Sequence, residues 1–383
     1  MGLSDAELMK EMRLLLPNGT SLGGADALLE ISRHFWWTWP IRQMARLPVI
    51  LNLLRASYGW VARRRSCADG TCVVRSEVGL SKMKPHGRRM LDFVPLIILP
   101  LIAFGFRNHT APWIFMWAMA LAIFAGCKWL TFWLTYREVI RRGLKPRPSR
   151  SLAYLLMWPG MDAAGFLDRN RVPARPTINQ WIFAAAKMMT GAILLWGVAR
   201  FALPYHPILA GWIGMTGAIM VLHFGSFQLL ALAWQRAGVW ATPLMNKPIL
   251  ARSLAEFWSR RWNTAFNELA FRFTFRPLKR LTTPALALLL VFGLSGLIHE
   301  LVLSLPARAG FGLPTIYFLI QGTGLLAERS RPGKAIGLGQ GLLGWLFTVV
   351  VTAGPAFWLF NPPFITNVIL PMLTAIGATG TNP

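Results

Sequence analysis

His299 and Glu300 stand side by side inside an otherwise apolar run, residues 285–305, of a 383-residue chain. An imidazole exchanges a proton near neutrality, so it is the side chain most able to act as a base there. His299 lies about 15 residues from the start of the run, roughly 22 Å along a helix at 1.5 Å per residue. An ionisable group at such depth in a bilayer is costly, and it usually faces a cavity or the interior of a helix bundle. The bland alternative is a histidine bonded to a neighbouring helix, with Glu300 close enough to the far interface to be hydrated. A second candidate, His223, lies in Leu222-His-Phe-Gly-Ser-Phe-Gln228, where packing is the favoured reading. His34, His86, His109 and His206 fall in loops or the N-terminal region and carry no signal.

The other chemical feature is Ser253-Leu-Ala-Glu256-Phe-Trp258-Ser-Arg260-Arg261-Trp262-Asn263-Thr-Ala-Phe-Asn267. Ser253 followed by Glu256 reads as a capping box opening a helix just after Pro248. On that helix Leu254, Phe257, Trp258, Trp262, Ala265, Phe266 and Leu269 recur at spacings of three and four, while Arg260, Asn263 and Asn267 share another face. One reading is an amphipathic helix at the membrane surface, with Trp at headgroup level and Arg toward lipid phosphate. The other is a helix that lines a site and offers amide and guanidinium groups to a polar ligand. Spacing alone does not decide between them. The dispersed histidines and three cysteines lack ligand spacing, so no metal is expected. Cys67 and Cys72 read as incidental thiols rather than a redox pair. Gly337-Leu-Gly-Gln-Gly341 lacks the Lys-Ser/Thr ending of a phosphate loop.

What positions these residues is legible in the composition. The net charge is +25, from 40 Lys+Arg against 15 Asp+Glu, yet only 14% of residues are charged and 54% are hydrophobic. A soluble domain carries about 25% charged residues, and a nucleic-acid-binding chain would display its lysines and arginines on a solvated face. Here long apolar runs separate them, at 91–106, 113–134, 181–203, 208–234, 285–305, 313–327, 338–360 and 364–376. The expected fold is therefore an all-α polytopic membrane protein of about eight spans. Residues 152–167, interrupted by Pro159 and Gly160, are expected to be a broken or re-entrant piece. The basic residues before the first span (Arg63, Arg64, Arg65, Arg75, Lys82, Lys84, Arg88, Arg89) and after the second (Arg137, Arg141, Arg142, Lys145, Arg147, Arg150) place those loops in the cytoplasm. Alternation puts 169–175, 235–283 and 329–334 on the same side, and leaves the opposite loops little more than Arg107, Arg200 and Arg308. Both termini are expected inside, in what is read as a bacterial inner membrane. Residues 1–7 lack the basic start and short apolar core of a secretory signal.

With the motifs in place, Phe257-Trp-Ser-Arg-Arg-Trp-Asn263 followed 36 positions later by His299-Glu300 resembles the membrane-bound O-acyltransferase superfamily, in particular its plant-type wax synthase branch. His223-Phe-Gly225, Gly238 and Pro243 extend the resemblance over residues 90–383. Ala255 departs from it, since the family often has a basic residue there. The resemblance implies acyl transfer from acyl-CoA to the hydroxyl of a long-chain fatty alcohol, with a sterol or diacylglycerol as the alternative acceptor, and a non-catalytic membrane scaffold as a third reading. It implies His299 as catalytic base and Asn263 as the second catalytic residue. Trp258, Arg260, Arg261, Trp262, Asn267, Glu300 and His223 would contact substrate. A hydroxyl is a weak nucleophile at its own pKa, so a nearby base is needed. The CoA phosphates would meet Arg260 and Arg261 and also Arg272 or Arg276. No cofactor is implied beyond acyl-CoA as co-substrate, and no nucleic-acid partner. Residues 1–80 resemble the C-terminal half of a DCC-type thiol-disulfide oxidoreductase-like domain, through Gly24-Ala-Asp-Ala-Leu-Leu29 and Tyr58-Gly-Trp-Val-Ala-Arg-Arg-Arg65, without that family's Asp-x-x-Cys element.

Overall fold

The computed structural model describes residues 13–16, 20–34, 45, 51–52, 54–56, 90–141 and 146–379. The chain divides into two compact units, Met1–Arg75 and Ser76–Pro383. In the first, β1 (Arg13–Leu15) pairs antiparallel with β2 (Ser21–Gly23), Leu14 lying opposite Leu22. Helix α1 (Gly24–Ile31) follows directly, burying Ala25 and Ala27, and Asp26 pairs with Arg55 at 3.0 Å. This short hairpin departs from the all-α expectation; Gly23-Gly24 lets the chain leave the strand straight into the helix. The motif at Tyr58–Arg65, the Cys67 and Cys72 pair, the basic stretch up to Arg89, and Arg142 and Lys145 lie outside the described residues.

The second unit is helical throughout its described residues. In chain order come α2 (Val94–Gly105), α3 (Pro112–Arg141), α4 (Pro148–Met157), α5 (Ala163–Leu167), α6 (Ile178–Ala202) and α7 (Pro207–Arg236). The signature block forms α8 (254–261) and α9 (264–281). Then follow α10 (Pro284–Ala307), α11 (Leu313–Arg329), α12 (Arg331–Ala335), α13 (Gly341–Leu359) and α14 (Pro362–Ala375). Prolines open many of these helices, where their missing N–H costs nothing. Five helices, α3, α6, α7, α10 and α13, are long and apolar enough to cross a membrane. The runs at 91–106, 313–327 and 364–376 are also helical but shorter. Residues 152–167 break as Pro159-Gly160 predicts, into α4 and α5 with extended chain at Trp158 between them.

Helix α10 shows how the bundle is oriented. Leu286, Leu290, Leu294, Leu297 and Leu301 recur every three or four residues, and all are exposed. A soluble protein would bury such a stripe; here it is the surface that lipid tails can cover. The opposite face carries Phe292, Gly296 and Leu303, all buried, and His299 falls on it at the same spacing. Gly296 allows α11 to approach closely, because a Cβ there would lie 2.6 Å from the Thr315 Cα. Helix α11 is enclosed on several sides. It buries Tyr317, Phe318, Gln321, Leu325 and Glu328, donates from Gln321 to the Val351 carbonyl at 2.7 Å, and packs in one cluster with Leu254, Phe292, Ile365 and Leu373. Its polar residues are tolerable because none of those buried positions meets lipid.

Candidate active site

His299 ends the α-helical part of α10, and a π-helical turn, Glu300–Ser304, begins at the next residue. Such turns hold one residue more than an α turn and often occur at functional sites. The His299 Nδ1 lies 2.7 Å from the Ser295 carbonyl oxygen. A carbonyl only accepts, so in the neutral ring the proton sits on Nδ1 and Nε2 carries the free lone pair. Nε2 has no hydrogen-bond partner among the described residues and is not sealed from open space. The ring packs on Phe318 of α11 at 4.4 Å between centroids.

Phe318 also links His299 to the signature block. Trp258 lies 5.9 Å from Phe318 and 5.7 Å from Phe292, so it touches both the ring beside His299 and the helix that carries it. Ala265 of α9 is buried in a cluster with Met119, Ile123 and Leu244, against which Val302 and Leu305 also pack. Thus α8 and α9 both bear on α10 around His299. Trp262 stacks on Phe257 at 5.5 Å and reaches Phe224 of α7 at 6.3 Å.

The continuous helix expected over the block is not what forms. α8 opens as foreseen, the Ser253 hydroxyl accepting from the Glu256 N–H at 3.0 Å. Glu256 returns its bond to the Arg252 N–H at 2.8 Å, one residue before the place a capping box requires. A buried carboxylate that sequence reasoning missed, Glu328, accepts from the Leu254 and Ala255 N–H groups. After the π turn Phe257–Arg261 the helix stops: Trp262 is extended and Asn263 is left-handed, with φ 43°. Asparagine enters that region more readily than most residues because its short polar side chain can bond locally. Arg260, Asn263 and Asn267 therefore do not share one helical face.

The break reassigns several side chains. Asn267 folds back, its Nδ2 donating to the Trp258 carbonyl at 2.7 Å and satisfying an acceptor that the interrupted helix leaves open. Arg261 is paired with Glu256 at 2.7 Å and donates to the Asn246 and Lys247 carbonyls at 3.3 and 3.1 Å. Both residues hold the block's shape rather than offering free donors. Arg260 is exposed and has no partner among the described residues. The Asn263 side chain likewise makes no hydrogen bond among them. Outside the apolar helices, the Arg252 N–H and the Arg261 guanidinium hold the Glu256 carboxyl below the usual range, while burial raises that of Glu268.

Glu300 also proves structural in the contacts it makes. Its Oε1 accepts from the Gly312 N–H (3.0 Å), the Thr315 N–H (3.1 Å) and the Thr315 hydroxyl (2.8 Å), capping α11; Oε2 is enclosed without a partner. His223 lies in the π turn Met220–Ser226, edge-on to Phe227 at 5.3 Å, with Nδ1 enclosed and unpaired. No described contact joins it to His299.

Two lysines inside apolar runs were passed over. Lys128 of α3 is buried, donates to the Gly160 carbonyl and lies 3.3 Å from the centre of the Tyr154 ring, fixing the break between α4 and α5. Lys187 of α6 donates to Gln228 of α7. A single cation in an apolar run was the available signal for both.

Residues 240–320, which contain the block and His299, match the model of the "Membrane bound O-acyl transferase family". Among curated proteins, the chain is 29% identical over 223 residues to "Probable long-chain-alcohol O-fatty-acyltransferase 2" of Arabidopsis thaliana, covering 52% of this chain and 60% of that one. It is 31% identical over 140 residues to "Long-chain-alcohol O-fatty-acyltransferase" of Simmondsia chinensis, covering 33% and 39%. A longer alignment, 25% identical over 296 residues, joins 73% of this chain to 82% of "Probable long-chain-alcohol O-fatty-acyltransferase 8" of Arabidopsis thaliana. The chain thus spans about three fifths of the first of these relatives and two fifths of the second. The stretch matched by the family model is the one in which α8, α9 and α10 converge on His299.

Proposed function

We propose that this chain is an integral membrane O-acyltransferase that moves a fatty acyl group from acyl-CoA to the hydroxyl of a long-chain alcohol. The observation that carries the reading is the His299 ring: Nδ1 is anchored on the Ser295 carbonyl, which leaves Nε2 as a proton acceptor on the inward face of an apolar helix. Nε2 takes the alcohol proton as the alcohol oxygen bonds to the thioester carbon. The carbon–sulfur bond then breaks, and the CoA thiolate recovers the proton from the imidazolium. Asn263, through its unengaged side-chain amide, stabilises the developing oxyanion, a role worth about 3–4 kcal/mol in other enzymes. Exclusion of water within the bundle keeps hydrolysis from competing.

Arg260, rather than Arg261, is the guanidinium free to meet the CoA phosphates. Trp258 and Trp262 wall the space between the block and His299. In a bilayer we count α2, α11 and α14 as spans beside the five long helices, giving eight, with the basic loops and the signature block on the cytoplasmic side, where acyl-CoA is made. The acceptor preference follows the relatives' names. Membranes from a host that makes no neutral lipid esters, supplied with labelled acyl-CoA and hexadecanol, sterol or diacylglycerol, should yield ester chiefly with hexadecanol. His299→Ala should abolish it. Full activity in that variant overturns the catalytic assignment, and preference for another acceptor moves the reading to that alcohol.

A further inference from the structure

Two of the three basic residues that break the one-sided charge pattern meet in a single cavity. It has a volume of about 190 Å³ and lies between the loop joining α2 to α3 and the end of α10, at the face opposite the signature block in the proposed topology. Arg107, Asn108 and Thr110 line it from one loop, and Leu305 and Arg308 from the other. Arg107 donates to the Phe104 carbonyl at 3.4 Å and lies over the Phe104 ring at 4.2 Å. Arg308 donates to the Asn108 side-chain oxygen at 3.2 Å. Each guanidinium keeps most of its five N–H donors unspent. Neither has a carboxylate partner among the described residues, and none of the lining residues is acidic.

The backbone makes the point independently. Arg308 follows the last turn of α10 in the left-handed region, with φ 55°. That position after a helix is usually glycine, because a Cβ there is strained. The same loop does use glycine at its other two left-handed positions, Gly310 and Gly312. A strained arginine where glycine would fit is retained for its side chain.

We propose that this cavity holds the phosphate of a phospholipid headgroup, gripped between Arg107 and Arg308. Arginine forks match phosphate oxygens bidentately, and two unpaired cations at one cavity need an anion between them. The lining divides as a lipid would require, with guanidinium and amide groups on one side and Phe115, Leu305 and Pro306 beneath. The exposed Phe106 and Phe311 flank it on the lipid-facing surface. This site is separate from the acyl-transfer chemistry and stands whether or not that reading does.

The test uses the full-length protein, delipidated in detergent and examined by native mass spectrometry. The probes are phosphatidylglycerol, diacylglycerol with the same chains, and inorganic phosphate. Phosphatidylglycerol should stay bound and diacylglycerol should not; equal retention of the two overturns the proposal. Displacement by millimolar inorganic phosphate would mean that free phosphate is the ligand, and would overturn the lipid assignment. Arg308→Gly is the decisive variant, since glycine suits the backbone and removes the guanidinium. It should hold or raise the thermal midpoint while weakening phosphatidylglycerol retention about tenfold, the loss expected for one charge-assisted contact. Unchanged retention in a folded Arg308→Gly protein overturns the proposal, and Arg107→Gln, which leaves the left-handed turn intact, gives a second reading of the same loss.

Discussion

Asn263 has two properties that a single substitution would confound: a side-chain amide with no partner among the described residues and a backbone in the left-handed region. Glycine and alanine separate them. Both Asn263→Gly and Asn263→Ala should lower kcat by about 10²–10³, as loss of one oxyanion donor does. Only alanine pays for its Cβ, so its thermal midpoint should fall below that of the glycine variant by an amount worth about 1 kcal/mol. If the glycine variant retains wild-type kcat, Asn263 serves the turn and not the chemistry. At the same scale, Glu256 gives the block a pH dependence. Its carboxyl titrates below the usual range because the Arg252 N–H and Arg261 favour the charged form. A depressed folded-state pKa means that the stabilisation is present above the unfolded value and is lost as pH falls through the folded one. The effect is small because the carboxyl is largely solvated. Acid titration of the thermal midpoint should show a shallower fall in Glu256→Gln than in the wild type, starting from a lower value at neutral pH.

The helices explain which expectations the sequence supports. Periodicity locates α10 well because lipid demands an apolar stripe and the bundle demands another face, so Leu286, Leu290, Leu294 and Leu297 announce the orientation of His299. The same rule misleads over 254–269. Its hydrophobic residues keep helical spacing, but they pack on different partners, Trp258 on Phe292 and Ala265 on Met119, and the turn at Asn263 lets each half reach its own. Nothing local marks that turn apart from an asparagine. Glu328 could not be found by spacing at all, because it lies 74 positions from the Leu254 N–H it receives. Its removal should be felt through α8: Glu328→Ala leaves two helix-terminal N–H groups without their acceptor, and stability measured by chemical denaturation in detergent should fall by about 2–3 kcal/mol.

For the whole molecule, the surplus of +25 is a statement about sidedness. Loops 106–111 and 308–312 meet at one cavity, so they share a face, and the basic loops alternate with them through α3 and α10. Single cysteines placed at Arg169 and Lys279 should react with a membrane-impermeant maleimide only from the cytoplasmic side, and one at His109 only from the other. Labelling of all three from one side would overturn the eight-span topology. Charge bias and run length made this much legible without coordinates, since both are properties of the solvent on either side of a bilayer. The two lysines, Lys128 and Lys187, were not, because an isolated cation in an apolar run does not say which carbonyl or amide waits across the bundle.

The π turns beside the two proposed catalytic residues, 257–261 before Asn263 and 300–304 after His299, bear on how such a chain can change length. Each holds one residue more than an α turn needs, so deletion of a single residue within it would preserve the hydrogen-bonded helix. It would also rotate whatever follows by about 100° relative to what precedes, the angle one residue spans in an α-helix. In α10 that rotation would carry Leu303 and the Arg308 loop off their faces while His299 stayed in place. The spacing between the histidine and the far loop is thus adjustable by insertion and deletion, in steps that no substitution can reproduce.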